Sequence, residues 1–295
     1  MKFLSKIVQA AYHSYGERLT GNKKKILNLV TNQQDFWPSQ RIKHKYDVSI
    51  RVMKGFNYFV IKNKNSKNHR NVITYIHGGA YIMQISPFHW AHITNIIDNT
   101  NALVIVPIYP LTTDEYCNQL DTINFLLTLY EYFTNKCNNT TFSIMGDSAG
   151  GNFALILAQQ IKIKKLKRPK NIILFSPLLS FYVGEEDSKK IKEDPVLPFH
   201  LLKEVNIMQL GKNNPKNPLF SPFFGDNKNI GNIYIYCGQN EVFASAIKDY
   251  CNKLDQDKVT YTLNIKKNMF HDYPIFVLTK EALETNKLIY KIFKK

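Results

Sequence analysis

The sequence predicts an α/β protein with a mostly parallel central sheet, flanking helices and a small helical cap. Six short, largely apolar, β-branched runs recur along the chain, and such runs suit strands buried on both faces. Helix-length segments separate them, and alternation of strand and helix gives a parallel sheet. One connection, from Leu178 to Ile230, carries a short helical pattern and several prolines and is too long for a plain crossover.

The elements follow in order. Phe3, Leu4, Ile7, Val8, Ala11 and Tyr12 recur at helical spacing, which predicts an amphipathic helix packed on the body. "YDVSIRV" and "FNYFVIK", split by Met53, Lys54 and Gly55, predict a hairpin. "NVITYIH", "ALVIVPIY", "FSIMGD", "NIILFSP", "NIYIYCG" and "YTLNIKK" are the six further strands. Helices are expected over Asp114 to Tyr132, Ala149 to Ile161, Ala244 to Leu254 and from about Ile275. The resulting division is an amino-terminal cap segment over 1–45, core over 46–180, a cap insertion over 181–230 and core again over 231–295. In an open α/β sheet such a cap would cover the carboxyl ends of the strands, where ligands bind.

Composition narrows the function class. The 295 residues are 44% hydrophobic and 13% aromatic, which suits one folded core of enzyme size. The formal charge of +16 would suit an anionic partner, yet the lysines are scattered among asparagines and isoleucines. Only "NKKK" and "KIKKLKRPK" are dense, and the second reads as a solvated helix end. No nucleic-acid motif accompanies them, so no nucleic-acid partner is expected. Cys117, Cys137, Cys237 and Cys251 are widely spaced, which suits neither a zinc site nor a disulfide scaffold. No run is long enough to span a membrane, and the expectation is a cytoplasmic protein without stable membrane insertion. The sequence leaves the oligomeric state open, a homodimer included.

The residues able to do chemistry lie at the ends of the predicted strands. "GDSAG" places Ser148 between Gly146 and Gly150 where a strand turns into a helix, the setting in which a strained turn projects a nucleophilic hydroxyl. "YIHGGAY" follows another strand, and the N–H groups of Gly78, Gly79 and Ala149 are expected to receive an oxyanion. His77, directly after its strand, is expected to brace the glycine loop. "NMFHDYP" puts His271 beyond the last strand, where a base could take the serine proton. The other histidines, His13, His44, His69, His89, His92 and His200, are expected to serve packing or surface roles.

The motifs "HGGAY", "GDSAGGNFA", "SPLLS", "NPKNPLFSPFFGD", "GQNEVF" and "MFHDYP" occur in this order. From about residue 45 onward the chain resembles an α/β-hydrolase of the hormone-sensitive-lipase-like branch, similar to bacterial short-chain esterases. The resemblance implies Ser148 as nucleophile, His271 as base, Glu241 as third member, and Gly78, Gly79 and Ala149 as oxyanion donors. It also implies a structural role for Asp147, a cap, and no metal or organic cofactor. The sequence departs from many members in reading glutamate rather than aspartate at 241. Position agrees with the assignment, because Glu241 lies just past a strand end, whereas Asp226, Asp249, Asp255 and Asp257 do not. Asp272, adjacent to His271, is the weaker alternative because neighbouring side chains in a loop seldom face each other.

The expected function is hydrolysis of short-chain acyl esters through an acyl-enzyme, with a small-molecule ester as partner. An amidase or acyltransferase would use the same residues. A binding protein of this fold is the reading from another class, since the resemblance extends to plant hormone receptors that lack the catalytic histidine. The substrate pocket depends on cap residues such as Phe181, Tyr182, Phe199 and Phe220, for which ordinary core packing is the favoured expectation.

Overall fold

The structure, a computed structural model, describes residues 23–32, 37–66, 68–112, 119–137, 139–182, 194, 196–197 and 199–294. The amino-terminal helix expected around Phe3 to Tyr12, His13 and Cys117 lie outside the described residues.

Eight strands form one sheet in the order β1-β2-β4-β3-β5-β6-β7-β8. β1 (Tyr46–Met53) and β2 (Phe56–Asn63) are the expected hairpin, in antiparallel register from Tyr46 opposite Asn63 to Met53 opposite Phe56. Lys54 and Gly55 between them have φ of 53° and 82°, the pair of left-handed residues that a two-residue hairpin turn needs. β2 pairs antiparallel with β4 (Leu103–Pro107). From there the sheet is parallel through β3 (Asn71–Ile76), β5 (Thr141–Asp147), β6 (Asn171–Phe175), β7 (Asn232–Gly238) and β8 (Tyr261–Lys266).

Helices cover both faces of the sheet. α1 (Lys23–Asn32) and α2 (Gln40–Lys45) precede β1. α3 (Pro87–Thr100), which the periodicity did not single out, joins β3 to β4. Its Trp90, Ile93 and Ile97 share a core with Ile73, Tyr75, Met145 and Phe175 of the strands. The opposite face buries α4 (Gln119–Lys136), α5 (Ser148–Ile163) and α7 (Ala244–Gln256) through Leu126, Phe153 and Tyr250 against Val72, Ile144 and Ile172. The strand residues alternate between these two cores because successive side chains point to opposite faces. α6 (Phe199–Leu210) lies in the long connection after β6.

The helix bounds differ from expectation, with α5 and α7 running one or two residues further than expected. The start expected for α4, Asp114 to Asn118, lies outside the described residues, and the helix runs on to Lys136. The last helix, α8 (Lys280–Ile292), begins later than Ile275. Pro274 sits in a 3-10 turn over Tyr273–Ile275, and the Thr279 side chain then caps the helix by accepting from the N–H of Ala282. Cys137, Cys237 and Cys251 are free thiols. Among the described residues no helix is long and apolar enough to cross a membrane.

Candidate active site

β5 passes into α5 without an intervening residue, since Asp147 ends the strand and Ser148 begins the helix. Ser148 takes up the reversal at φ 50°, in the left-handed region that costs a side chain about 1–3 kcal/mol and persists only where the surroundings enforce it. The close crossing explains the flanking glycines. A Cβ on Gly150 would lie 2.1 Å from the Ile76 carbonyl oxygen, and one on Gly146 would lie 2.3 Å from that of Gly150. With those positions bare, β3 and β5 run in register to Ile76 opposite Gly146. The glycine loop and Ser148 therefore emerge side by side.

His271 stands beyond the end of β8 with its Nε2 2.9 Å from Ser148 Oγ. Both side chains are nearly buried, and Phe243 sets its ring edgewise against the imidazole at 5.2 Å between centroids. On the other side of the imidazole ring, Nδ1 lies 3.9 Å from Glu241 Oε1, an ion-pair distance, and neither atom has another partner. The second oxygen of Glu241 is firmly held. Oε2 accepts from the Gly238 N–H at 2.8 Å and from the Ser176 hydroxyl at 2.7 Å. Ser176, one residue past β6, also accepts from the N–H of Asp272 at 3.0 Å and so ties the acid to the residue after His271.

Asp272 corrects one expectation. Its φ of 54° swings the carboxylate onto the ring of its neighbour, where Oδ2 lies 3.2 Å from Nε2 of His271. It therefore meets the nitrogen that faces Ser148, whereas an orienting acid must hold the opposite nitrogen. Glu241 is the carboxylate on that opposite side. Burial opposes charging the imidazole, but Asp272 and Glu241 together outweigh it and hold His271 well above the ordinary histidine range.

The glycine loop is organised by Asp147. Its carboxylate accepts from the Tyr75 hydroxyl at 2.8 Å and from the Gly78 N–H at 2.8 Å, with His89 Nε2 at 3.0 Å. His89 Nδ1 accepts from the Ser86 N–H, which leaves the proton on Nε2 to point at Asp147. Burial opposes the charge on Asp147, yet His89 and Tyr75 outweigh it and keep the carboxyl below its usual range. The expectation that Gly78 is an oxyanion donor is thereby corrected, because its N–H is already given to Asp147. Gly79 turns at φ 115°, and the Ala149 N–H lies in the first turn of α5, where a helix supplies no acceptor.

His77 is fully buried, stacks on Tyr109 at 4.4 Å, and sets Nδ1 2.7 Å from the Gly78 carbonyl oxygen. Burial, with His89 nearby, pushes it down to about 4. That agrees with bracing the loop. His92 is fully buried against Tyr75 and Phe175, and burial pushes it down to about 3. His44 and His69 lie outside the buried core.

A cavity of about 110 Å³ opens on Ser148, His271 and Asp272. Its apolar walls are Met83, Val196, Leu197, Leu201, Ile275 and Phe276. Of the aromatics considered from the sequence, Phe181, Tyr182 and Phe220 are not among its described lining residues. Phe181 and Phe220 are buried in the core and Tyr182 is 46% exposed, while the Phe199 side chain lies outside the described ones. Asp194 stands behind the wall. One of its oxygens accepts from the N–H groups of Val196 and Leu197, and the other from that of Val242. Sequence reasoning missed Asp194, Ser176 and His89. Ser176 alone carried a signal, as a hydroxyl residue just past an apolar strand whose neighbour β5 ends beside Ser148.

A family profile described as alpha/beta hydrolase fold matches residues 73–275. The chain belongs to the α/β-hydrolase fold family. This hydrolase is 26% identical over 209 residues to a protein named esterase from Acinetobacter venetianus, which covers 70% of this chain and 68% of that one. It is 30% identical over 169 residues to a triacylglycerol lipase of Mycobacterium tuberculosis, and the match covers 57% of this chain but 34% of the lipase. The fold of the hydrolase is also that of a hormone-sensitive lipase from a metagenome library, at a TM-score of 0.80 and 19% identity over 97% of this chain and 96% of that one. The α/β-hydrolase fold and the esterase and lipase kinship expected from the motifs are thus found.

Proposed function

We propose that this protein is a serine carboxylic-ester hydrolase acting on short-chain acyl esters through an acyl-enzyme at Ser148. The observation that carries the reading is the 2.9 Å approach of Ser148 Oγ to His271 Nε2 at the head of α5. A serine hydroxyl is a weak nucleophile at neutral pH, and an imidazole nitrogen in that position takes its proton as Oγ attacks the carbonyl carbon. The N–H groups of Gly79 and Ala149 receive the oxyanion. Collapse of the tetrahedral intermediate breaks the bond to the alcohol, which leaves with the proton held on Nε2. Water then attacks the acyl carbon with His271 as base and restores Ser148. Glu241 holds the imidazole tautomer with its proton on Nδ1 and stabilises the imidazolium as it forms.

A cavity of about 110 Å³ at Ser148 supports small esters as the substrates. Residues 181–230, with Val196, Leu197 and Leu201 on the cavity, act as the cap. An amidase or acyltransferase would share the steps up to the acyl-enzyme. A fluorophosphonate probe tests the reading. Labelling at Ser148, lost in His271→Gln, is expected, together with higher kcat/KM on nitrophenyl butyrate than on emulsified long-chain triglyceride. Absence of labelling in folded protein contradicts the hydrolase and favours a binding protein.

A further inference from the structure

We propose that Asp272 selects the alcohol part of the substrate, favouring esters that carry a hydroxyl donor two carbons from the scissile oxygen over plain alkyl esters. This rests on the reading of Ser148 and His271 as nucleophile and base. In that reading Nε2 of His271 passes the serine proton to the leaving oxygen, so any other group within reach of Nε2 borders the space the leaving oxygen enters. Asp272 Oδ2 is that group, at 3.2 Å.

The carboxylate is held in place. Its side chain is 10% exposed and lines the cavity, its backbone N–H is fixed on Ser176, and Oδ1 is buried without a hydrogen-bond partner. When a leaving oxygen takes up Nε2, Oδ2 loses its contact as well. Both oxygens then stand without a partner in a cavity whose lining is mostly apolar, through Leu197, Leu201, Ile275 and Phe276. Gln84, Ser86 and His89 are its other polar side chains besides Ser148, His271 and Asp147. A buried polar group without a partner is costly, and sites of this kind discriminate strongly against ligands that leave it so. A hydroxyl on the leaving alcohol donates to Asp272 and removes the cost, whereas a methyl in its place cannot. The apolar walls taken alone favour the methyl, so the sign of the preference identifies the carboxylate's contribution.

The test compares 2-hydroxyethyl acetate with propyl acetate, which share the acyl group and nearly the same shape. For the unmodified protein kcat/KM is expected to be about tenfold or more in favour of the hydroxyl ester. Asp272→Leu should bring the ratio to one or below, and Asp272→Asn should keep a reduced preference because its amide oxygen still accepts. Thermal melts and circular dichroism check that the variants fold, and if the leucine variant does not, the unmodified ratio and the asparagine variant decide. Equal kcat/KM for the two acetates, or a hydroxyl preference that persists in Asp272→Leu, overturns the inference while leaving the hydrolase reading intact. Failure to turn over either acetate or nitrophenyl acetate overturns both.

Discussion

Asp194 accepts the backbone N–H of Val242 at 2.9 Å, and Val242 is the residue after Glu241. A side chain in the long connection after β6 therefore holds the loop that presents the acid, while its other oxygen holds the Val196 and Leu197 N–H groups on the cavity wall. Asp194→Ala leaves three buried donors without that acceptor. A destabilisation of about 1–3 kcal/mol is expected in urea unfolding, with kcat/KM on short esters falling further than the stability loss explains. Unchanged stability and unchanged kinetics would show the clasp to be dispensable.

Glu241→Gln should keep the fold and lower kcat by about two to four orders of magnitude, because the imidazole loses both its tautomer lock and its counter-charge. Ser176→Ala removes one donor from Oε2 and leaves Gly238 as the other. It is expected to cost about tenfold in kcat with KM nearly unchanged, the split that marks a residue acting through the acid rather than on substrate. Asp272→Asn should lower kcat on nitrophenyl esters much less than Glu241→Gln. The reverse order in folded protein would make Asp272 the orienting acid.

The pH profile follows from the two carboxylates at His271. The base acts only when deprotonated, and these neighbours hold its pKa above the ordinary 6.5, so kcat/KM should rise with pH along a limb centred above that value. Burial pushes Asp272 itself up to about 7, so its charge grows across the same range; removing it relaxes the shift, and the limb of Asp272→Asn should lie at lower pH than that of the unmodified protein. Stopped assays from pH 5 to 9 measure both, and a flat profile or a limb moved upward would contradict the arrangement.

Gly150→Ala offers a purely structural test. The new methyl would meet the Ile76 and His77 carbonyl oxygens at 2.1 and 2.4 Å, both backbone atoms of the central strand and its loop. Backbone yields little, so the cost should lie at or beyond the upper end of the usual 1–3 kcal/mol for overpacking, near about 3 kcal/mol. Little soluble protein, or a melting temperature lowered by several degrees, is expected; wild-type stability would mean that strand and helix do not cross as closely as described.

The strands were legible because buried parallel strands require apolar, β-branched runs, and Ser148 was legible because a serine at a strand-to-helix junction between glycines has few other uses. Gly78 and Gly79 were not separable. Their roles diverge only because the Asp147 carboxylate, distant in the chain, points at the first. The contact of Asp272 with His271 was hidden for a related reason, because the rule that neighbouring side chains seldom meet assumes ordinary backbone and φ of 54° voids it, while its place behind Glu241 as orienting acid stands. Leu197 and Leu201 reveal nothing in sequence, since a leucine lining a cavity is spelled like one filling a core. Phe181 and Phe220, aromatics that could as well line a pocket, are buried in the core.

Among the described residues β8 is an edge strand paired with β7, and none of its residues is fully buried. Such strands open in local excursions that leave the centre of a sheet folded. His271 rides at the end of this one, whereas Ser148 is anchored between central strands. Ser148 and His271, the proposed nucleophile and base, thus belong to regions of unequal endurance. On warming, activity is therefore expected to be lost at a lower temperature than the fold, and activity assays run beside circular dichroism melts would check it.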